Sequence, residues 1–208
     1  MKKILCALFF SAIIYNLYFF FKENKKGKIY LSNLVEKKCL KGKQQITKYI
    51  RDLEKKVYKN NLAAVFDIDD TCLLSYAHEK KIGNKYGFRS SLSGRLRLDP
   101  VYDLYRFCLG VNIKVFFITA REMNRENEKY TREELKSLMF YRATDLNALF
   151  MRPPHDHPRE FKYNCRKKLQ DKGYVIILNI GDSNWDFYKS RAIINIKLPN
   201  LNLNFKSI

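Results

Sequence analysis

Histidine is scarce in this chain, with three among 208 residues, and none of the three falls in a catalytic motif. That argues against a phosphohistidine mechanism. His155, Asp156 and His157 look like a metal cluster, but Pro153, Pro154 and Pro158 around them read better as a rigid surface loop. The five cysteines follow no metal-binding pattern, with no Cys-x-x-Cys anywhere. Cys6 lies in an apolar N-terminal run. Cys39, Cys72, Cys108 and Cys165 allow two disulfides in three connectivities, although Cys72 and Cys108 read as small buried hydrophobes. There is no internal repeat and no low-complexity segment. Acidic residues are few, 21 against 40 basic, for a net charge of +19. No basic run is interleaved with aromatics in the manner of a nucleic-acid groove, so no specific nucleic-acid partner is expected and the excess charge reads as a solvated surface.

What is present suits one domain with short extensions: 46% hydrophobic and 29% charged residues, enough apolar material for a packed core. Residues 1–28 read as a targeting segment. Met1-Lys2-Lys3 precedes an apolar run over 4–21, closed by Lys22-Glu23-Asn24-Lys25-Lys26. Such a run is a signal peptide or an N-terminal membrane anchor. No small-x-small cleavage site follows it, and lysines lie on both flanks. Export is expected, to the periplasm, cell surface or medium, with an uncleaved anchor as the alternative.

From residue 29 onward helical and strand patterns alternate. Ile46, Ile50, Leu53 and Val57 have helical spacing. Residues 62–66 form a short apolar run, and residues 113–118 and 174–180 form two more. Weaker strands are expected at 149–151 and 192–196, and helices at 100–109 and 158–172. Thr131-Arg132-Glu133-Glu134 has the pattern of a capping box that would start a helix through Leu135, Leu138 and Met139. Residues 72–98 read as a small insert of helix and loop. Apolar strands alternating with helices predict a parallel sheet covered on both faces, an α/β three-layer Rossmann-like fold.

In such sheets ligands bind beyond the carboxyl ends of the strands. The three clear strands end there in Asp67 and Asp69, in Thr119, and in Asp182. Paired carboxylates push their pKa values apart, so that one stays ionised as a nucleophile while the other holds a proton. A carboxylate nucleophile suits phosphoryl transfer. Phosphate is itself anionic, so a divalent cation, Mg²⁺, is needed between it and the acids. Asp182 or Asp186 would complete that cation site. Each piece alone is also explained as a turn or a helix cap; three in order, at three strand ends, are harder to explain that way.

The segments Phe66-Asp67-Ile68-Asp69-Asp70-Thr71, Phe117-Ile118-Thr119-Ala120-Arg121, Glu160-Phe161-Lys162-Tyr163 and Gly181-Asp182-Ser183-Asn184-Trp185-Asp186 resemble the four motifs of the haloacid dehalogenase (HAD) superfamily. Within it, Met151-Arg152-Pro153 and Lys172-Gly173-Tyr174 are similar to the class B acid phosphatase group, which holds plant acid phosphatases and vegetative storage proteins. The resemblance spans roughly residues 45–200. It implies Asp67 as nucleophile and metal ligand, and Asp69 as general acid/base and a ligand through its backbone carbonyl. It implies Asp182 as the further metal ligand, Thr119 and Lys162 as phosphate-binding groups, and Asp186 as support for the metal site or the lysine. Lys167 and Lys168 compete with Lys162 for its role. Arg121 either reaches substrate or pairs within the structure.

Tyr76, Tyr86 and Phe88 sit in the insert, where the resemblance places substrate-facing residues, and Tyr76 is the substrate candidate among them. Ordinary packing within the insert is the alternative, and the preferred, reading of these aromatics. Trp185 reads as core packing. About 50 residues separate Thr71 from Thr119, room for a small cap only. The open site this implies suits small phosphomonoesters such as nucleoside monophosphates. The alternatives are a non-catalytic storage or binding protein on the same fold and a phosphatase of protein or nucleic-acid ends. Oligomeric state is open.

Overall fold

The computed structural model describes residues 33–52, 61–74 and 95–199. Residues 33–52 form helix α1. The strands are β1 (Leu62–Phe66), β2 (Leu73–Leu74), β3 (Leu96–Arg97), β4 (Lys114–Glu122), β5 (Leu149–Arg152), β6 (Val175–Gly181) and β7 (Ile194–Lys197). The remaining helices are α2 (Asp99–Gly110), α3 (Arg125–Ser137) and α4 (Pro158–Asp171). Five strands form one parallel sheet in the order β5-β4-β1-β6-β7, and β2 and β3 pair antiparallel beside it.

Strand side chains alternate between faces, and β1 shows what this does. Ala64 and Phe66 face a core with α1, α2 and α3, reached by Val35, Ile46, Leu104 and Leu135. Ala63 and Val65 face a second core with Phe161, Cys165 and Leu169 of α4. Both faces of the central strand are thus dry, which is why its sequence is an unbroken apolar run. The larger core is keyed by an aromatic cluster in which Tyr105 meets Phe66 edge-on at 6.2 Å and Phe140 at 5.1 Å.

From β1 the chain adds β4 and β5 on one side, then β6 and β7 on the other. The order therefore reverses at β1, and the crevice beyond its carboxyl end is the expected ligand position.

Several expectations change. Helix α3 starts six residues before the supposed capping box. Its N-cap is Asn124, whose side chain accepts from the Asn127 N–H at 2.8 Å. Its first turns are polar and solvated, so hydrophobic spacing gives no sign of them; Thr131 is a buried mid-helix residue. Strand β4 runs past Thr119 to Glu122, because the edge strand β5 continues to pair with it across an irregularity in register. The described ends of the insert are the strands β2 and β3, not helix; residues 75–94, with Tyr76, Tyr86 and Phe88, lie outside the described residues. So do Leu53, Val57 and residues 1–28.

Cys39, Cys72, Cys108 and Cys165 are free and buried, none in a disulfide. Burial pushes Cys39, Cys108 and Cys165 up to about 12 and raises Cys72 as well. A folded-state pKa above the unfolded value near 8.5 means stability is complete below that pH and is lost as pH rises toward 12. Each thiol contributes a slope of about 1.4 kcal/mol per pH unit in that window. Denaturant titrations of wild type and Cys108→Ala should therefore converge above pH 9; parallel curves would show that the thiol stays out of the titration.

Candidate active site

Asp67 follows the last residue of β1, and its backbone N–H donates to the Ile180 carbonyl of β6 at 3.0 Å. The side chain is buried. One carboxylate oxygen receives the Lys162 ammonium at 2.5 Å, and the other receives the Thr71 hydroxyl at 3.3 Å. Lys162 comes from the second turn of α4, the helix that crosses under the sheet to this edge. Its Nζ also donates to Asp186 at 2.5 Å. Lys162 is 2% exposed, so both contacts are shielded from water.

Asp182 and Asp186 come from the loop after β6. Asp186 lies in a short 3-10 turn (Asn184–Phe187) and closes a reciprocal cap with Ser183, accepting from the Ser183 N–H at 2.8 Å. Gly181 permits this, because a Cβ there would overlap the Asp186 carboxylate. That is the physical content of the Gly-Asp-x-x-x-Asp spacing. Gly181→Ala should push Asp186 off Lys162 and reduce phosphate release by about 10²-fold, the usual consequence of a displacement near 1 Å; wild-type turnover would show that the turn shifts freely.

One ammonium faces three acids here. Carboxylate oxygens of Asp67, Asp182 and Asp186 lie within 4.8 Å of one another, all buried. Burial raises the Asp67 pKa, against the charge of Lys162 and together with that of Asp186. Burial and the Asp186 charge push Asp182 up to about 6. Burial opposes the charge on Lys162, but Asp67 and Asp186 outweigh it and keep it protonated. Three carboxylates and one lysine leave net negative charge in a dry site, and a divalent cation with oxygen ligands fits that deficit.

Asp69 is placed differently. It is half-buried, and its carboxylate is gripped by two arginines. Arg121 binds it through Nε at 2.9 Å and Nη2 at 2.8 Å, and Arg95 binds through Nη1 at 2.6 Å. Burial alone would raise its pKa, but the hydrogen bonds and charge of Arg121, with the charge of Arg95, hold it below the usual carboxylate range. The two acids are pushed apart as expected but in the opposite sense: Asp67 is the one raised. The cause is the company each keeps, acids around Asp67 and guanidinium groups around Asp69.

Thr119 is buried two residues beyond the last β4–β1 pair, Phe117 with Phe66, and opposite Met151 of β5, and its hydroxyl accepts from the Arg121 N–H at 3.1 Å. Arg121 itself pairs within the structure. Lys167 is exposed and pairs with Asp171 at 2.9 Å, and Lys168 is exposed too, so neither stands where Lys162 does. Trp185 is 40% exposed and is not core, because its neighbour Asp186 takes the inward position of the turn. His155, Asp156 and His157 are exposed, and His157 caps α4 by accepting from the Arg159 N–H.

The family model for HAD superfamily, subfamily IIIB (Acid phosphatase), matches residues 28–204. The chain belongs to this family. It is an acid phosphatase, a phosphoric monoester hydrolase, on the α/β fold described above. Two solved structures share that fold. One is the class C acid phosphatase from Bacillus anthracis, with TM-score 0.56 and 15% identity over 86% of this chain and 84% of that one. The other is the same Bacillus protein with tungstate bound, with TM-score 0.55 and 14% identity over the same shares. No curated protein matches the sequence. HAD phosphatases generally use a divalent metal, and the aspartate cluster of this acid phosphatase is of the kind that holds one.

Two contributors are not legible in the sequence: Arg95 and Glu134. Arg95 and Glu134 join Asp69 and Arg121 through contacts 26 and 13 residues apart, which no periodicity signals.

Proposed function

We propose that this acid phosphatase hydrolyses small phosphomonoesters, nucleoside monophosphates among them, through an aspartyl-phosphate on Asp67. The observation that carries the reading is the buried Lys162 bridging Asp67 and Asp186 at 2.5 Å each, beside Asp182. Asp67 is the nucleophile. Its oxygen attacks phosphorus, the ester P–O bond breaks, and Asp69 gives a proton to the departing alkoxide. Asp69 then takes a proton from water, the hydroxide attacks phosphorus, and the P–O bond to Asp67 breaks to release inorganic phosphate. Lys162 and the Thr119 hydroxyl bind the non-bridging oxygens, whose negative charge they stabilise. Arg121 and Arg95 keep Asp69 ionised at rest, so the proton it passes to the leaving oxygen is first taken from the phosphomonoester monoanion as that substrate binds. Mg²⁺, held by Asp67, Asp182 and the Asp69 carbonyl with Asp186 in support, would neutralise charge between nucleophile and phosphate.

Residues 1–28, with the apolar run over 4–21, support an exported enzyme, either cleaved or retained at the membrane. The small insert supports an open site of broad specificity.

The test is phosphate release by the purified full chain from a panel of monoesters, with Mg²⁺ or EDTA, together with acid quenching during turnover. Metal-dependent release and a trapped phosphoprotein labile to hydroxylamine are the expected results. Release with no trapped acyl phosphate, insensitive to EDTA, would remove the mechanism.

A further inference from the structure

The arginine grip on Asp69 is anchored by a residue that the phosphoryl-transfer reading does not use. Glu134, on α3, is fully buried. One of its carboxylate oxygens accepts from Arg121 Nη1 at 2.7 Å, and the other lies 3.8 Å from Arg95 Nε. Both arginines meet Asp69 Oδ1, at 2.8 and 2.6 Å. The four groups close a ring of alternating charge: Asp69, Arg121, Glu134, Arg95. Thr131, one turn before Glu134 on the same helix face, adds a second acceptor for Arg121 Nη1 at 3.1 Å. A buried acid is weak as a source of stability, since an apolar side chain of similar volume packs as well. It does fix geometry: with Nη1 held by Glu134 and Thr131, Arg121 can present only its Nε–Nη2 edge to Asp69, bidentately.

We propose that Glu134 is a positioning residue that holds Asp69, through Arg121 and Arg95, in the orientation needed to protonate the leaving group. Through Arg95, which lies in the insert just before β3, the same ring ties that orientation to the insert. The proposal rests on the reading of Asp69 as the acid.

Leaving-group dependence tests it, because an ester with a poor leaving group needs the proton and a good leaving group does not. The measurement is kcat/KM across a series from alkyl phosphates to p-nitrophenyl phosphate for wild type, Asp69→Asn, Glu134→Gln and Arg95→Met, with folding checked by circular dichroism. Asp69→Asn should lose about 10²–10⁴-fold on alkyl esters and far less on p-nitrophenyl phosphate. Glu134→Gln should steepen the same dependence, losing about 10–100-fold on alkyl esters. Arg95→Met should do so more weakly. A merely structural role lowers all esters alike. If Asp69→Asn affects every ester equally, Asp69 is not the acid and the proposal falls with that reading. If Asp69→Asn discriminates but Glu134→Gln does not, the function stands and the positioning role is wrong. Should Glu134→Gln fail to fold, Arg95→Met decides, since Arg95 is about a third exposed: a leaving-group-dependent loss supports the ring, and an even loss or none overturns it.

Discussion

Asp67→Asn should abolish turnover, with kcat falling by at least about 10⁴-fold, the scale seen when a covalent nucleophile is removed. The fold should survive. The substitution takes one charge out of a buried trio that Lys162 alone does not neutralise, so without metal the variant should be at least as stable as wild type. The two readouts move in opposite directions, as expected of a site whose charge crowding serves chemistry. Mg²⁺ should raise the Tm of wild type more than that of the variant, because a cation that binds only the folded state stabilises in proportion to its affinity. Calorimetry with and without Mg²⁺, beside a phosphate-release assay, reads all three. A variant that keeps more than about a hundredth of wild-type kcat would place the nucleophile elsewhere.

Lys162→Met is the second large effect, and here stability and activity fall together. Nζ is the group that holds both Asp67 and Asp186, and all three are buried. Its loss leaves two carboxylates without their cation in a dry environment, a class of change that costs about 3–5 kcal/mol. Protonation of an acid relieves part of this, so the loss should shrink as pH falls toward 5. Added Mg²⁺ should also restore part of the stability, since its charge substitutes for that of the ammonium. Turnover should not return with it, because Lys162 also binds the transferring phosphoryl group on this reading. A variant with unchanged Tm at pH 7 would show that the 2.5 Å contacts contribute nothing net. Recovery of full turnover with Mg²⁺ would confine Lys162 to structure.

Much of this site is legible in the amino-acid sequence. Asp67, Thr119 and Asp182 stand out as polar groups at the ends of apolar runs, and that logic holds because parallel strands align their carboxyl ends at one edge. Lys162 has local rivals in Lys167 and Lys168. All three lie on α4, and only the helix's orientation over β1 decides which one points inward. The start of α3 is not legible, because Thr131 and Glu134 match a cap pattern that local sequence cannot tell from a mid-helix pair. Those two residues are instead committed to Arg121. The apolar character of Trp185 points to the core, yet the tight turn at Gly181 gives the inward position to Asp186.

By itself the sequence determined the strand-helix alternation, the family motifs and the order of the acids along the chain, because burial on both faces and strand-end chemistry leave contiguous traces. Tertiary structure alone decided which partners each acid meets. Asp67 and Asp69 are two residues apart, yet one faces a buried lysine among acids and the other a pair of arginines. Their environments come from α4, α3 and the end of the insert, segments distant in sequence. Charge interactions act through space and depend on burial, and neither is written in the spacing of residues along a strand.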